Sequence, residues 1–129
     1  MIALAPGRKC APEVFFIRRD RASAPLPKEF EGVPDLVVEV LSPSNRRYDF
    51  RDKRLIYREA GVGEVWFIDP ELRQIIGDRR QGGSYTEEIV TAGRVSSTIL
   101  QGFWVNASWL WAQPLPNRFA CLEEILRGA

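Results

Sequence analysis

The stretch PDLVVEVL, Pro34 to Leu41, decides the fold. From Asp35 onward it is almost unbroken in branched apolar residues, the pattern of a strand covered on both faces. Such a strand should be central in its sheet. The following SPSNRRY carries turn chemistry, and DFRDKRLIYREAG predicts a helix with Asp49 as N-cap, Asp52 three residues later and Gly61 beyond the end. EVWFID, Glu64 to Asp69, predicts another strand. Strand, helix and strand in that order imply a right-handed crossover between two parallel strands.

Farther along, DPEL turns the chain into RQIIGDR and QGGS turns it again into SYTEEIV, which predicts antiparallel strands beyond the parallel pair. In the other direction, EVFFIR, Glu13 to Arg18, predicts a strand entered through Pro12, followed by a proline-rich and charged loop from Arg19 to Pro34. The fold class expected is therefore α/β with a mixed sheet. Trp104, Trp109 and Trp111 read as core or dimer-interface packing, and a final helix is expected from Asn117 to Arg127 before Gly128. Asn106-Ala107-Ser108 matches a glycosylation sequon, incidental in a chain not expected to be exported.

A chain of 129 residues with 45% hydrophobic content fits one core, so a single domain over residues 1–129 is expected. It has no apolar run of the roughly eighteen residues that a membrane span needs. The start, MIALAPGRKC, lacks the apolar core of a signal peptide, which points to the cytoplasm. Cys10 and Cys121 stand far apart with no CxxC pair, so neither a zinc site nor a disulfide framework is indicated. The absence of histidine excludes Ser-His-Asp and Cys-His catalysis, zincin sites and histidine phosphotransfer together. Carboxylates, lysine, tyrosine or a metal remain as catalysts. With a net charge of +1, local clusters matter more than the overall field. Arg18, Arg19 and Arg21 form one cluster, and Arg46, Arg47, Arg51, Lys53 and Arg54 form another; each suits either a solvated surface or contact with nucleic acid.

Glu39 breaks the apolar pattern of its own strand. A buried carboxylate must be paired, hydrogen-bonded, protonated or metal-bound; the bland alternative is a structural ion pair or a strand with one wet face. Asp35 shares its face, but four residues of strand separate them by about 13 Å, so Asp35 serves either as an additional site residue or as a turn residue. A metal partner for Glu39 has to come from a neighbouring strand, and Glu13 is the best-placed acid. Lys53 is the second anomaly, because Phe50, Lys53, Ile56, Tyr57 and Ala60 share one helical stripe that is otherwise apolar. A lysine can snorkel from such a stripe, whereas Arg51, Arg54 and Arg58 lie on the other side of the helix, where solvated charge is expected. A helix that follows the Glu39 strand can equally carry the ammonium to the carboxylate.

With those residues in view, PDLVVEVLSPS, the DxxxKxxxY pattern from Asp49 to Tyr57, and GVGEVWFIDP resemble the Uma-two family of endonucleases, a branch of the PD-(D/E)XK superfamily. The resemblance implies a restriction-endonuclease-like mixed sheet in which acids on two neighbouring strands chelate Mg²⁺ or Mn²⁺ and a lysine assists attack by water. It maps Glu13 and Glu39 to the metal-binding acids. Leu41 stands at the usual lysine position, and Lys53 resembles a migrated substitute. It further implies a DNA substrate met by Arg46, Arg47 and Arg51, and a homodimer. Relatives carry a helix and a first strand before the position of Pro12, so an N-terminally short version is expected. The alternative is an inactive pseudo-nuclease that acts as a dimerising or nucleic-acid-binding module.

Overall fold

The computed structural model describes residues 2–5, 8–10, 12–20, 30–43 and 46–128. Two short strands, β1 (Ile2–Ala5) and β2 (Arg8–Cys10), pair antiparallel. After β3 (Val14–Phe16) comes β4 (Phe30–Glu31), which joins β1 in parallel to give a small sheet ordered β2-β1-β4. The chain continues through β5 (Leu36–Val40), α1 (Arg46–Ala60), β6 (Glu64–Asp69), β7 (Gln74–Gln81) and β8 (Ser84–Val90). β9 (Arg94–Ser96) and β10 (Trp104–Asn106) form an antiparallel ribbon, and a short 3-10 turn leads on to α2 (Arg118–Arg127).

The main sheet has five strands in the order β3-β5-β6-β7-β8. β5 and β6 are parallel and joined over α1, and every other neighbouring pair is antiparallel. This is the mixed sheet and the strand-helix-strand unit that the sequence implies. β5 is interior, as expected, although the middle place belongs to β6. Two differences have local causes. The helix begins at Arg46, so Asp49 lies inside it rather than at its N-cap; arginine is a good helix former, and nothing in Arg46 to Tyr48 opposes extension toward the turn at Pro43. β1 and β2 occupy the stretch before Pro12 and were not expected, because segments of three and four residues are too short to show periodicity.

Alternation along the strands divides the core. Under α1, Val37, Leu41, Val65, Phe67 and Ile76 bury together with Tyr57 and Val62, and Phe50, Ile56 and Ala60 close the layer. The expected α1 stripe is thus the packed face of the helix, with Phe50 meeting Phe67 edge-on at 5.2 Å between ring centroids. On the opposite face Leu36, Trp66 and Ile75 bury with Val95 and Ala107, covered by Phe103, Leu110 and Trp111. Trp104 is buried 5.4 Å from Trp109, so Trp104 and Trp111 pack as expected. Asn106 has a structural use, since its side chain accepts the Ser108 N–H at the head of the 3-10 turn. α2 has the limits that the sequence indicates, with Asn117 as N-cap and Gly128 at a φ of 73° that favours glycine.

Arg54 and Arg58 differ from expectation, which put them with Arg51 on the solvated side of the helix. Both guanidiniums reach down to Asp78 on β7, with Arg54 Nε and Nη2 at 2.7 and 2.6 Å and Arg58 Nε and Nη2 at 3.0 and 2.8 Å. Asp78 is fully buried, so a forked donor that matches a planar carboxylate stabilises it better than solvent could. Burial pushes the Asp78 carboxyl up, but the hydrogen bonds and charges of both arginines outweigh that and hold it below its ordinary value. Because the native pKa is depressed, the stabilisation is complete above the ordinary aspartate value of 3.8 and is lost as pH falls through the native value. Asp78→Asn is expected to cost about 3 kcal/mol in urea unfolding at neutral pH, because Arg58 loses this buried carboxylate and Arg54 is left to the half-exposed Glu87. The difference from wild type should shrink as the medium is acidified below about pH 4.

Candidate functional site

β5 carries Glu39 onto the face beneath α1, where only 2% of the residue remains exposed. Helical spacing then sets two donors above it. Lys53 and Tyr57 lie one turn apart on α1, and both converge on Oε2, the Tyr57 hydroxyl donating at 2.8 Å and the Lys53 Nζ at 3.0 Å. Oε1 accepts the backbone N–H of Glu13 at 3.2 Å. The predicted convergence of Lys53 and Glu39 is therefore present in the structure. Leu41, where a lysine is customary, is in the core instead.

Glu13 precedes β3 by one residue, and β3 pairs antiparallel with β5 through Val14 opposite Val38. Extending that register by one residue sets Glu13 opposite Glu39, with the Glu13 side chain exposed to solvent. Asp35 immediately precedes the other end of β5. Its carboxylate accepts the Arg18 N–H at 2.8 Å, and its own N–H donates to the Phe16 carbonyl at 2.9 Å, which fastens the exit of β3 to the start of β5. Arg51 is exposed on α1, while the side chains of Arg46 and Arg47 and the whole of Arg21 lie outside the described residues.

Sequence reasoning did not single out the Tyr57 hydroxyl, because tyrosine fits an apolar stripe without its oxygen being considered. Its place one turn after Lys53 was the available signal. The donor chemistry suits a hard divalent cation. Each carboxylate oxygen has two lone pairs, so Oε1, with one described donor, keeps acceptor capacity on the side of Glu13. Among the described residues no three acid, cysteine or histidine groups gather closely enough to form a full cage. Two carboxylates, with water and phosphate completing the sphere, are an ordinary donor set for Mg²⁺.

The profile of the Uma2 family, described as a putative restriction endonuclease, matches residues 2–108. The chain belongs to this family. Among solved structures, the Uma2 chain is similar to a putative nuclease belonging to DUF820 from Anabaena variabilis, with a TM-score of 0.56 and 18% identity. The match covers 72% of this chain and 53% of that one, so the chain spans about half the length of that neighbour. At this identity the likeness shows a shared fold, restriction-endonuclease-like. A comparison with curated proteins finds no match. Among the described residues of this Uma2 chain no helix is long and apolar enough to cross a membrane.

The geometry predicts energetic coupling between Lys53 and Glu39. Glu39→Leu removes the carboxylate that faces the Lys53 ammonium, Lys53→Met removes that cation from a buried carboxylate still hydrogen-bonded by Tyr57 and the Glu13 N–H, and the double variant removes both charges at once. In a urea-unfolding cycle the double variant is expected to be more stable than the sum of the single losses allows, by about 1–3 kcal/mol.

Proposed function

We propose that the protein is a metal-dependent endonuclease that hydrolyses DNA phosphodiester bonds. The observation that carries this reading is the buried Glu39 carboxylate, met by the Lys53 ammonium at 3.0 Å and adjoined by Glu13 across the β3–β5 pair. Membership of the Uma2 family supports it. Glu13 and Glu39 would hold Mg²⁺ or Mn²⁺, and the ion would supply polarisation of the scissile phosphate and a bound water of lowered pKa.

The chain's own groups divide the remaining work. Lys53 has about a quarter of its side chain exposed, so its ammonium reaches both the buried carboxylate and the rim of the site. There it can orient the attacking water or stabilise negative charge on phosphate oxygens in the transition state. Arg46, Arg47 and Arg51 belong to the first half of α1, the helix that carries Lys53. On this reading they contact backbone phosphates, giving affinity without sequence selection. The setting is the cytoplasm, with two copies of the chain acting on one duplex.

One observation favours a second reading, a non-catalytic nucleic-acid-binding module. Both oxygens of Glu39 already have protein donors, so the carboxylate is satisfied without an ion. Plasmid nicking separates the two readings. The nuclease reading expects supercoiled DNA to be nicked with Mg²⁺ or Mn²⁺, not in EDTA, and not by Glu39→Ala. Lys53→Met is expected to lower the rate by about a hundredfold or more, the scale of losing one electrostatic or acid-base group. No metal-dependent nicking in the wild type would leave only the binding module.

DNA affinity is expected to fall steeply with salt and to vary little among sequences. Arg51→Ala should reduce the magnitude of the log-log salt slope by about 0.9, the contribution of one phosphate contact to duplex DNA. Binding that ignores salt would count against contact through phosphates.

A further inference from the structure

The two donors on Glu39 Oε2 are not equivalent. Tyr57 is fully buried, with its ring in the core formed by Val37, Leu41, Val65 and Phe67. Its backbone is also fixed, because the Tyr57 carbonyl accepts the N–H groups of Gly61 and Val62, both at 3.1 Å, where α1 ends. The hydroxyl is therefore a donor that cannot swing away. Lys53 has a long stem, and its side chain is 23% exposed, so its ammonium can leave Oε2 while its methylenes stay packed. Oε1, on the other side of the carboxylate, faces Glu13 at the edge of the site.

We infer that Tyr57 is the positioning residue for Glu39, holding Oε2 inward so that Oε1 is presented to a divalent cation while the Lys53 ammonium, at the rim of the site, acts on the substrate. This rests on the nuclease reading above. The two neighbours of Glu39 thereby acquire separate duties. Tyr57 fixes the ligand, as a hydrogen-bonded partner of a metal-binding carboxylate does. Lys53 acts on the phosphate or the water and is dispensable for holding the ion.

Tyr57→Phe removes one oxygen and keeps the ring. Tyr85→Phe is a matched control, because the Tyr85 hydroxyl donates to the Val62 carbonyl at 2.6 Å, outside the site. Manganese binding is read by titration calorimetry, and nicking kinetics are measured at saturating Mn²⁺. Tyr57→Phe is expected to weaken Mn²⁺ binding roughly tenfold and to lower kcat with KM for DNA unchanged. Tyr85→Phe should leave both at wild-type values. Lys53→Met should bind Mn²⁺ no more weakly than wild type while losing kcat, and this arm tests the division of duties between lysine and tyrosine even when Tyr57→Phe fails to fold.

Unaltered Mn²⁺ affinity in Tyr57→Phe, equal losses in Tyr85→Phe, or weakened binding in Lys53→Met would each overturn the assignment while leaving the nuclease reading intact. A wild type that neither binds Mn²⁺ nor nicks DNA overturns the nuclease reading, and the role of Tyr57 with it.

Discussion

A carboxylate buried in the middle of a strand sets the terms for everything that packs over it. Taking a charge out of water costs several kcal/mol, of order, unless it finds compensation within the protein. For Glu39 that compensation comes from α1, which follows β5 directly and returns to the sheet before β6. The helix has to lie where Lys53 and Tyr57 can reach Oε2, and its apolar neighbours Phe50, Ile56 and Ala60 then fall onto the core beneath. One electrostatic requirement thus fixes the rotation of the helix, and the hydrophobic layer agrees with it.

The sheet repeats this device with a different outcome. Asp78 on β7 receives the two guanidiniums of Arg54 and Arg58, so the outer side of α1 is tied to the sheet a second time. Glu64 on β6 is fully buried on the opposite face and accepts Arg79, the Ser97 hydroxyl and the Thr98 N–H and hydroxyl, which fastens the segment after β9 to the sheet. Arginine presents a rigid planar fork and stays charged, which suits permanent ties such as these. Glu39 alone among the three is met by a lysine, a compact charge on a flexible stem, and by a tyrosine. The donors of Glu39 thus differ in kind from the arginines that tie Asp78 and Glu64.

Much of the architecture was legible because β5 and β6 are nearly continuous apolar runs and the turns between β6, β7 and β8 carry glycine, proline and aspartate where a chain must reverse. The limits of α2 were readable from Asn117 and Gly128, whose cap chemistry is local. The start of α1 was less so, since Asp49 offered a plausible cap while the preceding residues were equally able to be helical. The small strands before Pro12 left no signal, because a pairing between segments distant in sequence, such as β1 with β4, has no period to display.

By itself the sequence determined the strand-helix-strand core, the anomaly of Glu39 within it and the presence of one cation, Lys53, in the apolar stripe of the following helix. These follow from periodicity and from the cost of burying charge, both of which act along the chain. Only the tertiary structure decided which groups meet. It gave Glu39 a tyrosine hydroxyl as well as the lysine, turned Arg54 and Arg58 inward to Asp78, and assigned Asp35 to the brace with Arg18. The physical reason is that side-chain pairing depends on strand order and on the seating of the helix over the sheet. Those are set by contacts between residues remote in the chain, and neither spacing nor composition records them.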